Sequence, residues 1–246
     1  MGYIRFIITA VTLVFFFIVG IPAGIIFQII GLIDKDKKDA MSAAFVRWGL
    51  SMVGVTAGGK VKIIDREKLR TGEATMFVAN HSSIFDLVYC LAVLPDVTAV
   101  VAKKELAKIP FLHYWMTQIH CIFLDRSNIE SGVQMVKDAA ELLKSGKNVL
   151  IFPEGTRTKT EGELLEFHGG SFKIAIRTNA PIVPISIIGT GDVFETHFPE
   201  IHASNITLVV GDAIPTKGMP IPERKKLPEN CRQIITNNYE KYNERA

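Results

Sequence analysis

Residues 6–33 read FIITAVTLVFFFIVGIPAGIIFQIIGLI and contain no charged side chain. A stretch that long and that uniformly apolar must meet lipid. As one helix it would reach about 42 Å at roughly 1.5 Å per residue, more than the roughly 30 Å hydrocarbon core of a bilayer requires. Gly20, Pro22 and Gly24 cluster at its middle, however, where a proline removes a helical hydrogen bond and glycines permit a turn. Split there, each half would be about 14 residues or roughly 21 Å, too short to cross and suited to a hairpin dipping into one leaflet. We therefore expect a hairpin, with a single kinked spanning helix as the alternative. A cleaved signal peptide is not expected, because the stretch is too long and no small-x-small site precedes Asp34.

Met41, Phe45, Trp48, Met52 and Val55 follow at four-three spacing. They predict a helix that either rests on the globular part or faces the membrane beside the first segment. Residues 1–57 thus form a membrane-associated helical region. Residues 58–246 contain no repeat, low-complexity tract or long linker and are expected to form one domain. Within it, β-rich apolar runs at 61–64, 75–79, 97–102, 121–124, 149–152, 182–188 and 206–210 alternate with helical patterns at 84–94, 129–144, 171–178 and 223–242. The fold class is α/β, a mainly parallel sheet covered by helices, with an N-terminal apolar helical element as membrane anchor. In such sheets chemistry gathers at the carboxyl ends of the strands.

The net charge of +3 is too small and too scattered for nucleic-acid binding, and it suits a protein resting on anionic lipid. Three cysteines without a CxxC pair argue against a disulfide framework or a thiolate metal site and fit a reducing compartment.

Four polar motifs each follow a predicted strand: NHSSIFD (80–86), KKEL (103–106), DR (125–126) and PEGTR (153–157). In the first, Ser83 and Asp86 make a capping-box pattern, so Asp86 could simply start a helix. It could equally orient the imidazole of His81 as a general base. PEGTR is either an ordinary turn or an anion site, in which Gly155 admits the backbone, Thr156 supplies a hydroxyl and Arg157 a planar fork for phosphate oxygens. Lys103, Lys104 and Arg126 would add charge, although each alone is more often solvated surface. The Gly-x-x-x-x-Gly-Lys loop of nucleotide enzymes is absent, so ATP is not indicated. Ser171 in GGSFK lacks the second glycine of a hydrolase elbow and is expected to cap the following helix. His120 and Cys121 are strand neighbours expected to point to opposite faces, and GTGD (189–192) reads as a turn.

With NHSSIFD, CIFLDR, FPEGTR and PIVPISI in order, the chain resembles the bacterial 1-acylglycerol-3-phosphate acyltransferases of the glycerolipid acyltransferase superfamily from about residue 60 to about 215. The resemblance implies His81 as general base on the 2-hydroxyl of lysophosphatidic acid, with Asp86 orienting it. The acyl group would come from acyl carrier protein or coenzyme A. It further implies a phosphate site of Arg126, Arg157 and Lys103 or Lys104, shaped by Glu154, Gly155 and Thr156. No metal, no cofactor and no nucleic-acid partner are implied. The expected place is the inner or cytoplasmic membrane, with the protein monotopic on its cytoplasmic face and in contact with phospholipid. Acylation of glycerol-3-phosphate or of a lysophospholipid is the nearest alternative, and a non-catalytic lipid-phosphate binder is a more distant one. Cys121 and Lys173 depart from the family, standing where glycine and histidine are common, and "FLHYW" (111–115) lacks a glycine usual after KIPF.

Overall fold

The short Val- and Ile-rich runs become seven strands in a computed structural model that describes residues 1–160 and 162–243. They are β1 (Gly59–Ile64), β2 (Met76–Ala79), β3 (Thr98–Lys103), β4 (Ile122–Leu124), β5 (Asn148–Ile151), β6 (Ile182–Ile188) and β7 (Ser204–Val210). The helices are α1 (Gly2–Gly31), α2 (Lys35–Thr56), α3 (Ile84–Val93), α4 (Pro110–Gln118), α5 (Ile129–Lys144), α6 (Gly169–Thr178) and α7 (Ile221–Tyr242). The strands form one sheet in the order β1-β7-β6-β2-β5-β3-β4. Every neighbouring pair is parallel except β6 and β7, so β1 and β7 run against the other five.

Strands β2, β5 and β6 are buried at every position, which is why they read as unbroken apolar runs. Their side chains alternate between two cores. Phe77, Ala79, Leu150, Val183 and Ile185 join Phe85, Tyr89 and Leu91 of α3 beneath α1 and α2. Met76, Val78, Val149, Ile151 and Ile182 meet α5, α6 and α7 on the other face. Helix α5 contributes Met135, Val136, Ala139, Ala140 and Leu143, the three-four spacing of a helix with one buried side.

The expected break at Gly20–Pro22–Gly24 does not occur. Helix α1 runs unbroken through Pro22 for 30 residues, and by length and composition it could cross a membrane. The glycines serve close approach instead of a turn: a Cβ on Gly20 would lie 2.6 Å from Trp115 Nε1, and one on Gly24 would lie 2.6 Å from Tyr114 Oη. The chain reverses later, at Leu32–Asp34, where Asp34 accepts the Lys37 amide at 2.9 Å and caps α2. The hairpin is therefore made by α1 and α2 together.

Helix α1 follows the domain along its length. Ile201 N–H donates to the Gly2 carbonyl, Phe6 stacks on Phe194, Phe17 meets Phe111, and Gln28 donates to Gln118 at 2.9 Å. The side turned away exposes Ile7, Val11, Val14, Ile18, Ile25 and Ile29, each at least half exposed.

In α2 the stripe Met41, Phe45, Trp48, Met52 and Val55 is not the most buried face. Ser42, Ala43, Val46, Gly49, Val53 and Gly54 are. Small residues there let α2 come close to its neighbours, since a Cβ on Gly49 would strike the Phe16 ring at 2.2 Å. Phe45 still contributes by packing on Trp115, with ring centroids 4.6 Å apart. Helix α4, rich in aromatic and polar residues, gave no apolar period in the sequence.

Candidate functional site

At the end of β2, Asn80 extends the sheet by imitating a backbone: its Nδ2 donates to the Ile187 carbonyl at 2.9 Å and its Oδ1 accepts the Ile187 amide at 2.7 Å. This fixes where the chain leaves the sheet, and His81 comes next. Its amide donates to Glu154 Oε1 at 2.7 Å, its carbonyl accepts from the Thr158 amide at 2.9 Å, and its ring stacks on Phe152 at 4.3 Å. The residues after β5 thus hold both the backbone and the ring plane of His81.

His81 Nδ1 lies 2.8 Å from Asp86 Oδ2. Asp86 is fully buried, and the same oxygen also accepts the amides of Ser82 and Ser83 at 2.7 and 2.8 Å. The Thr190 hydroxyl donates to its Oδ1. A carboxylate accepting from four donors places the imidazole proton on Nδ1 and leaves Nε2 with a free lone pair. Ser83 Oγ accepts the Phe85 amide at 3.0 Å, so the capping box also forms. Asp86 is both the helix cap and the partner of His81.

His81 opens onto a cavity of about 640 Å³. Leu87, Val101, Leu106, Leu124, Val136 and Ile151 make apolar wall, while Lys103, Arg126, Gly155, Thr156 and Arg157 bring polar groups from the ends of β3, β4 and β5. Gly155 has φ +69°, and a Cβ there would lie 3.3 Å from the His168 ring, so the turn needs glycine.

Two residues named for the phosphate site do not line the cavity. Lys104 is outside the cavity lining and ion-pairs with Asp125; the pair raises the lysine and holds the Asp125 carboxyl down at about 2. Glu154 is 3% exposed and spends its two oxygens on the amides of His81 and Leu165. Burial raises its pKa while those amides oppose the rise. It joins the β2 and β5 loops and supports the cradle from behind, because a carboxylate cannot itself donate to phosphate.

Arg157 lines the cavity but donates to Glu195 Oε1 at 2.9 Å. Glu195 also accepts the Ile84 amide at 2.8 Å and the Ser83 hydroxyl at 2.5 Å, so one carboxylate couples Arg157 to the start of α3. Glu195 and Thr190 were missed in the sequence because the segment after β6 carries only a turn signal. Ser171, expected as a cap, lies inside α6, whose N-cap is His168. A thiol route is not supported: burial pushes Cys121 up to about 12, and His120 is engaged by Asp39 at 2.6 Å.

The family model described as Acyltransferase matches residues 60–188, more than half of the chain. The chain belongs to the acyltransferase family. It is 31% identical over 173 residues to acl-2 of Caenorhabditis elegans, covering 69% of this chain and 60% of that one. It is 24% identical over 209 residues to the human 1-acyl-sn-glycerol-3-phosphate acyltransferase beta, covering 85% and 75%. Against the 1-acyl-sn-glycerol-3-phosphate acyltransferase of Saccharomyces cerevisiae it is 30% identical over 190 residues, covering 76% and 61%. The alignments thus span between 60% and 75% of these relatives' own lengths. The crystal structure of the 1-acyl-sn-glycerophosphate (LPA) acyltransferase PlsC from Thermotoga maritima superimposes with a TM-score of 0.79 at 23% identity, over 98% of this chain and 99% of that one. That likeness establishes the acyltransferase fold from α1 through α7.

Proposed function

We propose that this acyltransferase moves an acyl group from a thioester of coenzyme A or acyl carrier protein to the 2-hydroxyl of lysophosphatidic acid, giving phosphatidic acid. The observation that carries this reading is His81, held through Nδ1 by a buried carboxylate with Nε2 left free, at the wall of a cavity that is cationic in one part and apolar in another. The acceptor phosphate would lie among Lys103, Arg126, Arg157 and the Gly155–Thr156 turn. Nε2 takes the proton of the 2-hydroxyl as its oxygen attacks the thioester carbonyl. The tetrahedral intermediate collapses by breaking the C–S bond, and the departing thiolate recovers the proton from His81. Phosphatidic acid and free thiol are the products.

In this reading residues 1–57 are a membrane-binding region of the catalytic domain at 58–246. The protein sits monotopically on the cytoplasmic face of the cytoplasmic membrane, with the exposed side of α1 in one leaflet. Ile84, Ile129 and Val133 line the cavity and are each more than half exposed, which favours a mouth that meets acyl chains.

The test is thiol release and phosphatidic acid formation by purified protein supplied with lysophosphatidic acid in lipid vesicles and either donor. His81→Ala should lower the rate by about 10²–10⁴-fold in protein that still unfolds cooperatively, with the modest loss of stability expected when one donor to the buried Asp86 is removed. Undiminished turnover by that variant would remove His81 as the base.

A further inference from the structure

The cavity holds more positive charge than one acceptor phosphate needs. Five cations line it, Lys103, Arg126, Arg157, Lys173 and Arg177, and no carboxylate does among the described residues. A phosphate monoester carries about two negative charges at neutral pH. Lys103, Arg126 and Arg157 stand at strand ends around the Gly155–Thr156 turn and suffice for it. Lys173 and Arg177 belong to α6 instead, four residues from one another and so on the same helix face. Neither has an ion pair or a hydrogen bond among the described residues.

The start of α6 offers more than charge. The helix has no side-chain cap, and Gly170 and Ser171 of its first turn line the cavity. Uncapped amides at a helix start favour anions. Ser171 is 8% exposed and lines the cavity, which puts a hydroxyl donor at its wall. From Ser171 to Arg177 the face extends about 9 Å at roughly 1.5 Å per residue, leading away from the helix start, where His168 lies close to Gly155.

We propose that Gly170, Ser171, Lys173 and Arg177 form a second anion subsite, which holds the phosphate of the phosphopantetheine arm that carries the acyl thioester. The assignment rests on the acyl-transfer reading above, because only a two-substrate reaction of this kind brings a second phosphate into the cavity. The arm separates its phosphate from the thioester by a chain of two amides. That phosphate therefore needs its own site, distinct from the one beside the 2-hydroxyl.

The experiment titrates coenzyme A, 4′-phosphopantetheine and phosphate-free pantetheine calorimetrically into wild-type protein and into the Lys173→Ala/Arg177→Ala variant. Both side chains are exposed, so the variant should unfold at the wild-type temperature. It should bind coenzyme A and 4′-phosphopantetheine at least about tenfold more weakly and pantetheine equally, and Lys173→Arg should retain binding. In steady-state kinetics the variant should raise KM for acyl-coenzyme A and leave KM for lysophosphatidic acid unchanged. Equal coenzyme A affinities, or no binding by the wild type, would overturn the subsite. A rise confined to KM for lysophosphatidic acid would overturn it too, by assigning α6 to the acceptor. Binding is read without turnover, so a wild type that binds coenzyme A through these residues yet transfers no acyl group would refute the acyl-transfer reading alone.

Discussion

Asp86 concentrates four donors on two oxygens in a place without water access, and the orientation of His81 depends on that arrangement. Thr190 is the one donor from outside the segment between β2 and α3, supplied by the loop after β6, the strand next to β2. Replacing it by valine keeps the shape and leaves Oδ1 without its hydroxyl. Thr190→Val should cost about 1–3 kcal/mol of stability and lower the acyl-transfer rate, as read by thermal unfolding and thiol release. A loss of stability with an unchanged rate would confine Thr190 to a structural role. Glu195 acts on the other side of the site. Its carboxylate accepts from Arg157, and under the proposed function an acceptor phosphate would compete with it for that guanidinium.

Among the elements, α1 shows how a local signal can be read correctly and assigned the wrong purpose. Gly20, Pro22 and Gly24 do mark a special point, but what is special is the approach of Trp115 and Tyr114 from α4, and α4 left no periodic trace in the sequence. Gly20→Val would push a branched side chain into the Trp115 indole, which is 4% exposed and packed against Phe16 and Phe45. It should cost about 1–3 kcal/mol and alter Trp115 fluorescence in a Trp48→Phe background. The central strands were legible as unbroken apolar runs and α5 by the three-four spacing of its one apolar side. His81, Asp86, Arg126 and Arg157 could be named as candidates because each belongs to a polar motif that follows such a strand. The directions of Glu154 and Lys104 were not legible, because only side-chain geometry reveals that one faces two amides and the other Asp125. Thr190, Glu195 and Lys173 lie in segments whose local pattern says turn or helix and nothing about chemistry.

For the whole molecule, the attachment of α1 from Gly2 to Gln28 bears directly on how the protein meets a bilayer. A helix bound along its length to the catalytic domain cannot leave it to span the membrane without exposing the faces it now covers. In sealed vesicles carrying protein on the outside, labelling of Tyr3→Cys by an impermeant maleimide, in a Cys121→Ala background, should be the same before and after a pore admits the reagent to the vesicle interior. Labelling that appears only once the pore is open would mean that the N-terminus has crossed.

The strand order adds a constraint in time. β2 and β3 are consecutive in the chain but are separated in the sheet by β5, and β6 must then close on the free side of β2. As the chain is synthesised, the segment bearing His81 and Asp86 is complete long before its neighbours exist, and the edges of β2 stay unpaired for more than seventy residues. Such distant pairings fold slowly and leave apolar edges open to other chains. The set of contacts around the imidazole is complete only when Thr190 has followed β6, more than a hundred residues after His81 itself has been made.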